Sequence, residues 1–437
     1  MLTVTILWKT RHSLNKGKSM ERTERLTDSQ KTMLVQGALS GAFFAIGTGN
    51  FLAGYLTYLG ASPAFCAIVA AVPQLGCILQ LLSPLFFERL RHRKMAIRIC
   101  CFAFRMGMGL AGLIPFLLVG KAARLGAAFG LYLMAFLMAG FVTPGLDQWT
   151  MQLAPQHRRG RFFAWKNILS ALLNAAISLG LGWQLDRFSE AGRAGAGYFV
   201  LYGTCCVLAC ADQYLLGRME EVPCIPMESL RFGDLKRPLR DPTYRRIVAF
   251  LPAWFIAQNF SSAFLSVYML QALGMSHTQI SGVTMVASAA GIAGTWFWGR
   301  VADRSSWNRI MLWSGGIIGT MYLCWGAVPP GAGLVIPFLL QALVSACSGS
   351  FSMASANLQY SCAPREGKTI YLGVGAAISN LTGYGAALLG AWLQSLLELQ
   401  LGIQSIRILF LCSGVFCLGA VLGIVPKLPK IILGEGK

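Results

Sequence analysis

Apolar positions come in long runs along this chain, each ended by a short cluster of charged, Gly or Pro positions. A helix needs roughly 20 consecutive apolar residues to cross the hydrocarbon of a bilayer, and runs of that kind recur from Met33 to Pro426. They predict twelve spans, near 33–59, 63–87, 95–119, 125–150, 163–185, 197–217, 247–271, 279–299, 310–328, 333–359, 370–394 and 405–426. Pro73, Pro144 and Pro252 fall inside spans, where neighbouring helices and side chains satisfy the carbonyls that Pro frees. The expected fold class is therefore an all-α polytopic membrane protein with about twelve transmembrane helices.

Composition agrees, because 55% of the 437 residues are hydrophobic and only 12% are charged. The formal charge of +20 raises the question of nucleic acid, and its distribution answers it. With the N-terminus inside, the loops of one side carry 31 Lys and Arg, the other side carries five (Lys121, Arg124, Arg187, Arg193, Arg407), and Arg105 lies within a span. That is the positive-inside pattern, which predicts a multi-pass protein of the cell membrane with both termini cytoplasmic and makes the charge a topology signal, with no nucleic-acid partner.

The thirteen cysteines are spread mainly through apolar segments, with no CxxC and no His in a ligand pattern, so they read as small apolar side chains and no metal or cofactor is expected. The first 30 residues are polar and lack a cleavable signal, and Met20 is an alternative start. The four His lie in the tail or in loops, no nucleophile and base share a constellation, and no P-loop is present. Neither an enzyme nor direct ATP hydrolysis is expected.

Internal repetition organises the spans. The segment FLAGYLTYLGAS from Phe51 matches FLSVYMLQALGMS from Phe264, placing Tyr55 over Tyr268 and Gly60-Ala61-Ser62 over Gly274-Met275-Ser276. Glu88-Arg89 with Arg93-Lys94 parallels Asp303-Arg304 with Arg309, and Ala154-Pro155 with Arg159-Gly160-Arg161 parallels Ala363-Pro364 with Glu366-Gly367-Lys368. The expected organisation is a cytoplasmic tail 1–32, a six-helix half 33–217, a central cytoplasmic loop 218–246, a second six-helix half 247–426 and a tail 427–437.

Gly299-Arg300-Val301-Ala302-Asp303-Arg304 with Arg309 resembles the signature loop between spans eight and nine of the major facilitator superfamily. Arg159-Gly160-Arg161-Phe162-Phe163-Ala164-Trp165-Lys166-Asn167 resembles its loop between spans four and five in bacterial members, and the resemblance covers nearly the whole chain. The first-half counterpart, Pro84-Leu85-Phe86-Phe87-Glu88-Arg89, departs from the pattern in having Pro for the leading Gly and Glu for Asp. The Arg in span four and the Gly-Pro in span five of proton-coupled drug exporters are missing too; span five reads Ile177-Ser178-Leu179-Gly180-Leu181-Gly182.

An acidic residue at a helix end followed by cations in a short loop can pair with a neighbouring helix in one conformation only. Glu88, Arg89, Arg93, Asp303, Arg304 and Arg309 are accordingly the expected conformational latch, the alternative being that they only fix topology. Arg105, Asp147 and Asp212 are the ionisable residues within spans, each costly there unless paired or hydrated. Counting residues from the span ends puts Arg105 and Asp147 at similar depth, so these two are expected to pair or to share a polar path, in a structural or a coupling role; Asp212 lies nearer a membrane surface.

A solute site is expected near mid-membrane between the halves, where the uncharged polar candidates are Asn50, Gln74, Asn174, Gln258, Asn259 and Asn380, each of which could instead bond a neighbouring helix. The function these features imply is a secondary transporter, acting as a monomer in the lipid bilayer, that moves a small organic solute by alternating access with or without a coupled proton. A neutral or zwitterionic metabolite is the first choice of substrate; an amphipathic drug exporter and a non-transporting receptor are the alternatives.

Overall fold

The computed structural model describes residues 26–87, 90–154, 159–221, 237–302, 306–329, 331, 333–364 and 368–428. Twelve rods make up the fold, and among the described residues no strand forms. They are α1 (Asp28–Tyr58), α2 (Pro63–Leu79, continued by Ser83–Phe87), α3 (Lys94–Leu117), α4 (Lys121–Leu153), α5 (Arg159–Glu190) and α6 (Ala194–Arg218), followed by the short helix Arg237–Arg240. The second six are α7 (Pro242–Ser262, running on to Ala272), α8 (His277–Ala302), α9 (Trp307–Ala327), α10 (Val335–Cys362), α11 (Lys368–Leu401) and α12 (Ser405–Ile424). Among the described residues ten segments are long and apolar enough to cross a membrane; the last, Tyr371–Lys427, spans most of α11 and all of α12, and Pro63–Leu79 is shorter.

The local chemistry at the helix ends explains where the rods start and stop. Thr27 begins α1 with a capping box: its Oγ1 accepts from Gln30 N at 3.3 Å, and Gln30 Oε1 accepts from Thr27 N at 3.1 Å. The expected span 63–87 is two segments, because Gln80, Leu81 and Leu82 bond three residues back instead of four. The turn after α1 and the turn after α7 are built alike. Gly60 and Gly274 hold φ of +89° and +63°, conformations that exclude most side chains. Ser62 and Ser276 then start α2 and α8, accepting from the N–H of Phe65 and Gln279 at 3.3 and 3.2 Å.

Packing repeats in the same way. Within the first half α1 packs on α5 and α6, α2 on α4, and α3 on α4 and α6; within the second, α7 packs on α11 and α12, α8 on α10, and α9 on α10 and α12. Each pairing recurs six helices later. Tyr55 donates from α1 to the carbonyl of Ala111 in α3 at 2.5 Å, and Tyr268 donates from α7 to the carbonyl of Val328 after α9 at 2.7 Å. Both tyrosines are fully buried. The halves meet along two seams, α2 with α11 and α5 with α8, which exchange with each other under the same six-helix shift.

An even number of rods brings the described chain ends to one face, called proximal below. There Ser29 Oγ accepts from Glu220 N at 3.1 Å, Gln30 donates to the Leu153 carbonyl at 3.1 Å, and Asn308 donates to the Leu428 carbonyl at 3.1 Å. At the opposite, distal face Arg124 donates to the carbonyls of Pro115 and Leu118 at the end of α3, and Arg407 to those of Gly326 and Ala327 at the end of α9. Two of the few distal cations thus neutralise the negative ends of helices.

Candidate functional site: a polar cavity between the halves

A cavity of ≈ 290 Å³ lies between the halves, lined by α1, α5, α7, α8 and α10. It forms where α1 is interrupted. The helix Asp28–Gly47 ends at Thr48, whose backbone is extended, and a new helix starts at Gly49, where φ is +62° and a Cβ would meet no atom within 4 Å. Thr48 Oγ1 turns back to the Phe44 carbonyl at 2.7 Å, so no side chain caps the N-terminus of Gly49–Tyr58. Ser178 on α5 donates to Asn174 Oδ1 at 3.0 Å, and both residues line the cavity. Ser281 of α8, 3% exposed, and Gln341 of α10 complete the polar wall.

Directly distal to the cavity the two halves are bonded together. The Asp186 carboxylate, near the end of α5, accepts from the N–H groups of His277 and Thr278 at 3.0 and 2.9 Å and from Thr278 Oγ1 at 2.5 Å. A carboxylate of the first half therefore caps a helix of the second. The His277 ring lies against Gly54, where a Cβ would come within 2.3 Å of Cε1, and stacks on Phe51 with an interplanar angle of 10°. Tyr198 meets the same ring edge-on. Asn50 Nδ2 donates to the His277 carbonyl at 3.4 Å and Gln271 to Thr57 Oγ1 at 3.0 Å.

The sequence candidates divide among several places. Asn50 and Asn174 line the cavity. Gln74 of α2 donates instead to Asn259 of α7 across the other seam, and a Cβ on Gly383 of α11 would lie 3.0 Å from both amides. Gln258 is half-buried on α7, and Asn380 is half-buried on α11 and donates to the Ala376 carbonyl of the same helix at 2.8 Å. The sequence passed over Thr48, Ser178, Asp186, Ser281 and Gln341, and it placed His277 in a loop with the other histidines. The first span was expected to run unbroken over 33–59; the Gly47-Thr48-Gly49 run is the signal that could have marked the break.

The expected pairing of Arg105 with Asp147 is overturned. Arg105 of α3 pairs with Asp212 of α6, both side chains 3% exposed. Gln36 donates to the second carboxylate oxygen at 2.9 Å, Arg105 also donates to Ser40 Oγ at 3.1 Å, and Phe43 and Phe104 flank the guanidinium at 5.9 and 5.6 Å. Depth along a helix does not fix direction around it. Arg105 leans toward the start of α3, at the proximal face, while Asp212 leans toward the start of α6, at the distal face, so the two side chains converge although their Cα atoms are offset. Asp147 on α4 has Lys166 of α5 as its charged neighbour.

Of the latch candidates, Glu88, Arg89, Asp303 and Arg304 lie outside the described residues. Arg93 is buried ahead of α3 and donates to Gln148 on α4, within its own half; Arg309 is exposed near the start of α9.

Residues 228–431 match the family model of the Major Facilitator Superfamily. The rest of the chain shares its architecture, since solved structures of the superfamily overlay from end to end: the inward-open xylose transporter XylE from E. coli matches with a TM-score of 0.71 at 13% identity, covering 93% of this chain and 98% of that one. The second half of the chain thus matches the superfamily's family model, and the whole chain has the fold of its solved transporters. Other structures with the superfamily's two six-helix halves match comparably. The nucleoside transporter NupG has a TM-score of 0.66 at 12% identity, covering 92% of this chain and 99% of that one. The POT family transporter PepTSo has 0.71 at 12%, covering 92% and 97%. No curated protein sequence matches the chain.

Proposed function

We propose that this protein is a secondary transporter that moves a small organic solute through the cavity between its halves by alternating access, in the cell membrane and with both termini cytoplasmic. The observation that supports it best is the cavity together with the contacts that join the halves distal to it. The lining comes from both halves, and Asp186, His277, Asn50 and Gln271 bind the halves together on the distal side of it. A site placed at the interface of two rocking halves is exposed to one side at a time when the contacts on either side of it form in turn. The excess of Lys and Arg on proximal loops makes the distal face the outside.

A neutral or zwitterionic solute suits the lining, because none of the residues around the cavity ionises. The amphipathic-exporter reading loses ground to the same observation and to the small volume. Asp147, with its Lys166 neighbour, is the candidate for a coupling proton, whereas Asp212 is sequestered with Arg105. Counterflow into proteoliposomes preloaded with candidate solutes tests the reading: accumulation of labelled solute supports a transporter, and binding with no exchange supports a receptor in its place.

A further inference from the structure

The outer flanks of the two halves carry matching features that movement of a solute does not use. The halves meet along α2–α11 and α5–α8, so the pairs α3–α6 and α9–α12 stand away from both seams. In each pair the third helix of a half runs antiparallel to the sixth, and its start holds the end of the sixth. Lys94 Nζ donates to the carbonyls of Gly217 and Met219 at 2.8 and 2.6 Å, and Asn308 Nδ2 donates to those of Val425 and Leu428 at 3.4 and 3.1 Å. The ends of α6 and α12 are thus satisfied without Arg218, Arg309 or Lys427.

Each pair presents two cations at this proximal end. In the first half Arg98 lies along α6: it donates to the Gln213 carbonyl at 3.5 Å, and a Cβ on Gly217 would come within 3.2 Å of its Nη2. Arg218 is exposed, its guanidinium 4.7 Å from the centre of the Tyr214 ring. In the second half Arg309 and Lys427 are exposed, and Lys427 sits between the two residues whose carbonyls Asn308 holds. None of the four stands in an ion pair among the described residues. Helices α3, α9 and α12 contain no Asp or Glu, and Asp212 of α6 is paired with Arg105. Glu221 accepts from Lys94 N at 3.1 Å and meets His92 at 3.5 Å, while Glu220 has no cation within 4.0 Å among the described residues.

Distal to the cations the same surfaces are apolar and exposed, as at Ile99 and Val207 in the first half and Val415 and Leu422 in the second. Tyr214 and Trp313 are exposed one helical turn from Arg218 and Arg309, the amphipathic side chains that settle at headgroup level. A cation pair above an apolar face suits a molecule with a phosphate at one end and hydrocarbon at the other. The phosphate accepts from the guanidinium and ammonium groups, whose long stems reach along the apolar surface to that level. A choline or ethanolamine head would bring an ammonium that finds no carboxylate paired to receive it, so a net negative head is favoured. We infer that the α3–α6 and α9–α12 flanks are two equivalent sites for an anionic glycerophospholipid of the proximal leaflet. Arg98 and Arg218 hold the headgroup at one, Arg309 and Lys427 at the other; Arg309, which the sequence placed with the latch, here faces lipid.

The test uses the full chain purified in a neutral detergent, with dioleoylphosphatidylglycerol and dioleoylphosphatidylcholine as probes that share their acyl chains. Native mass spectrometry counts the lipids retained, and the melting temperature reads the stabilisation. The phosphatidylglycerol is expected to raise the melting temperature and to be retained as two copies per chain; the phosphatidylcholine at equal concentration is expected to do neither. Each cation near an anionic headgroup strengthens the attraction roughly fivefold. Arg98→Gln with Arg218→Gln, or Arg309→Gln with Lys427→Gln, is therefore expected to weaken one of the two copies at least tenfold, and all four together to weaken both. Arg245→Gln with Arg246→Gln removes the same charge from the exposed proximal start of α7 and is expected to leave both copies in place.

Equal retention of the two lipids overturns the inference, and so does retention unchanged by the flank variants. An equal loss in the α7 variant also overturns it, because the attraction then belongs to the proximal face as a whole. Should the Arg98 variant fail to fold, the second pair decides alone, since the side chains of Arg309 and Lys427 have no hydrogen bond or ion pair to lose among the described residues. None of these readouts involves a solute or its flux, so failure of the transport reading leaves the lipid sites standing, and loss of the lipid sites leaves the transport reading as it was.

Discussion

At the scale of single residues, the Arg105–Asp212 pair shows how strongly a buried charge constrains its surroundings. Each partner is 3% exposed, and Gln36, Ser40 and two phenylalanine rings are arranged around them. Removing one partner leaves the other uncompensated, so Arg105→Met is expected to cost about 3–5 kcal/mol, read as a lowered melting temperature in detergent. Combining it with Asp212→Leu is expected to restore most of that loss, because an apolar pair of similar volume replaces the ion pair. If the double variant melts no higher than the single one, the network is worth more than its two charges. Asp147 makes a contrasting case: it is exposed beside Lys166, and Asp147→Asn is expected to abolish the pH dependence of uptake in proteoliposomes. An unaltered pH profile would return Asp147 to a structural role.

Among the helices, the decisive contact is the cap that α5 places on α8. Hydrogen bonds to a charged group contribute about 1.5–3 kcal/mol, and a favourable helix end adds to them. Asp186→Asn keeps one acceptor oxygen but loses the charge, so distal opening is expected to become roughly tenfold more frequent, which corresponds to about 1.4 kcal/mol. A thiol introduced by Ser178→Cys, which lines the cavity, would report this as faster reaction with a membrane-impermeant maleimide added on the distal side, measured above the background of the native cysteines. Equal rates with and without Asp186→Asn would show that closure does not depend on the cap. The twelve rods were legible from hydropathy because crossing a bilayer demands length, and length is written along the chain. The ends of α5 and α8 were legible only as ends. That Asp186 reaches across to His277 depends on how two halves sit together, which no run of apolar residues encodes. The same holds for Arg105, whose depth could be counted but whose direction depends on which neighbour α3 turns toward. The pairing of Tyr55 with Tyr268 was written in the repeat itself, and the two side chains make corresponding bonds.

For the molecule as a whole, function is expected to follow from which face holds the halves together. The distal cap closes one side; the loops that carry Glu88 to Lys94 and Asp303 to Arg309 are the proposed closure of the other. Asp303→Asn is accordingly expected to slow uptake while the amount of inserted protein stays the same, and unchanged uptake at equal insertion would remove the latch from the mechanism. The six-helix periodicity of the packing has a further consequence. Each half contains both partners of every helix pairing described within it, so a chain severed between Glu221 and Arg237 still carries two complete sets of contacts. Made as two polypeptides, the halves would have to find each other by diffusion. The attraction along α2–α11 and α5–α8, which the covalent chain conceals as a high effective concentration, would then become a dissociation constant that dilution can measure.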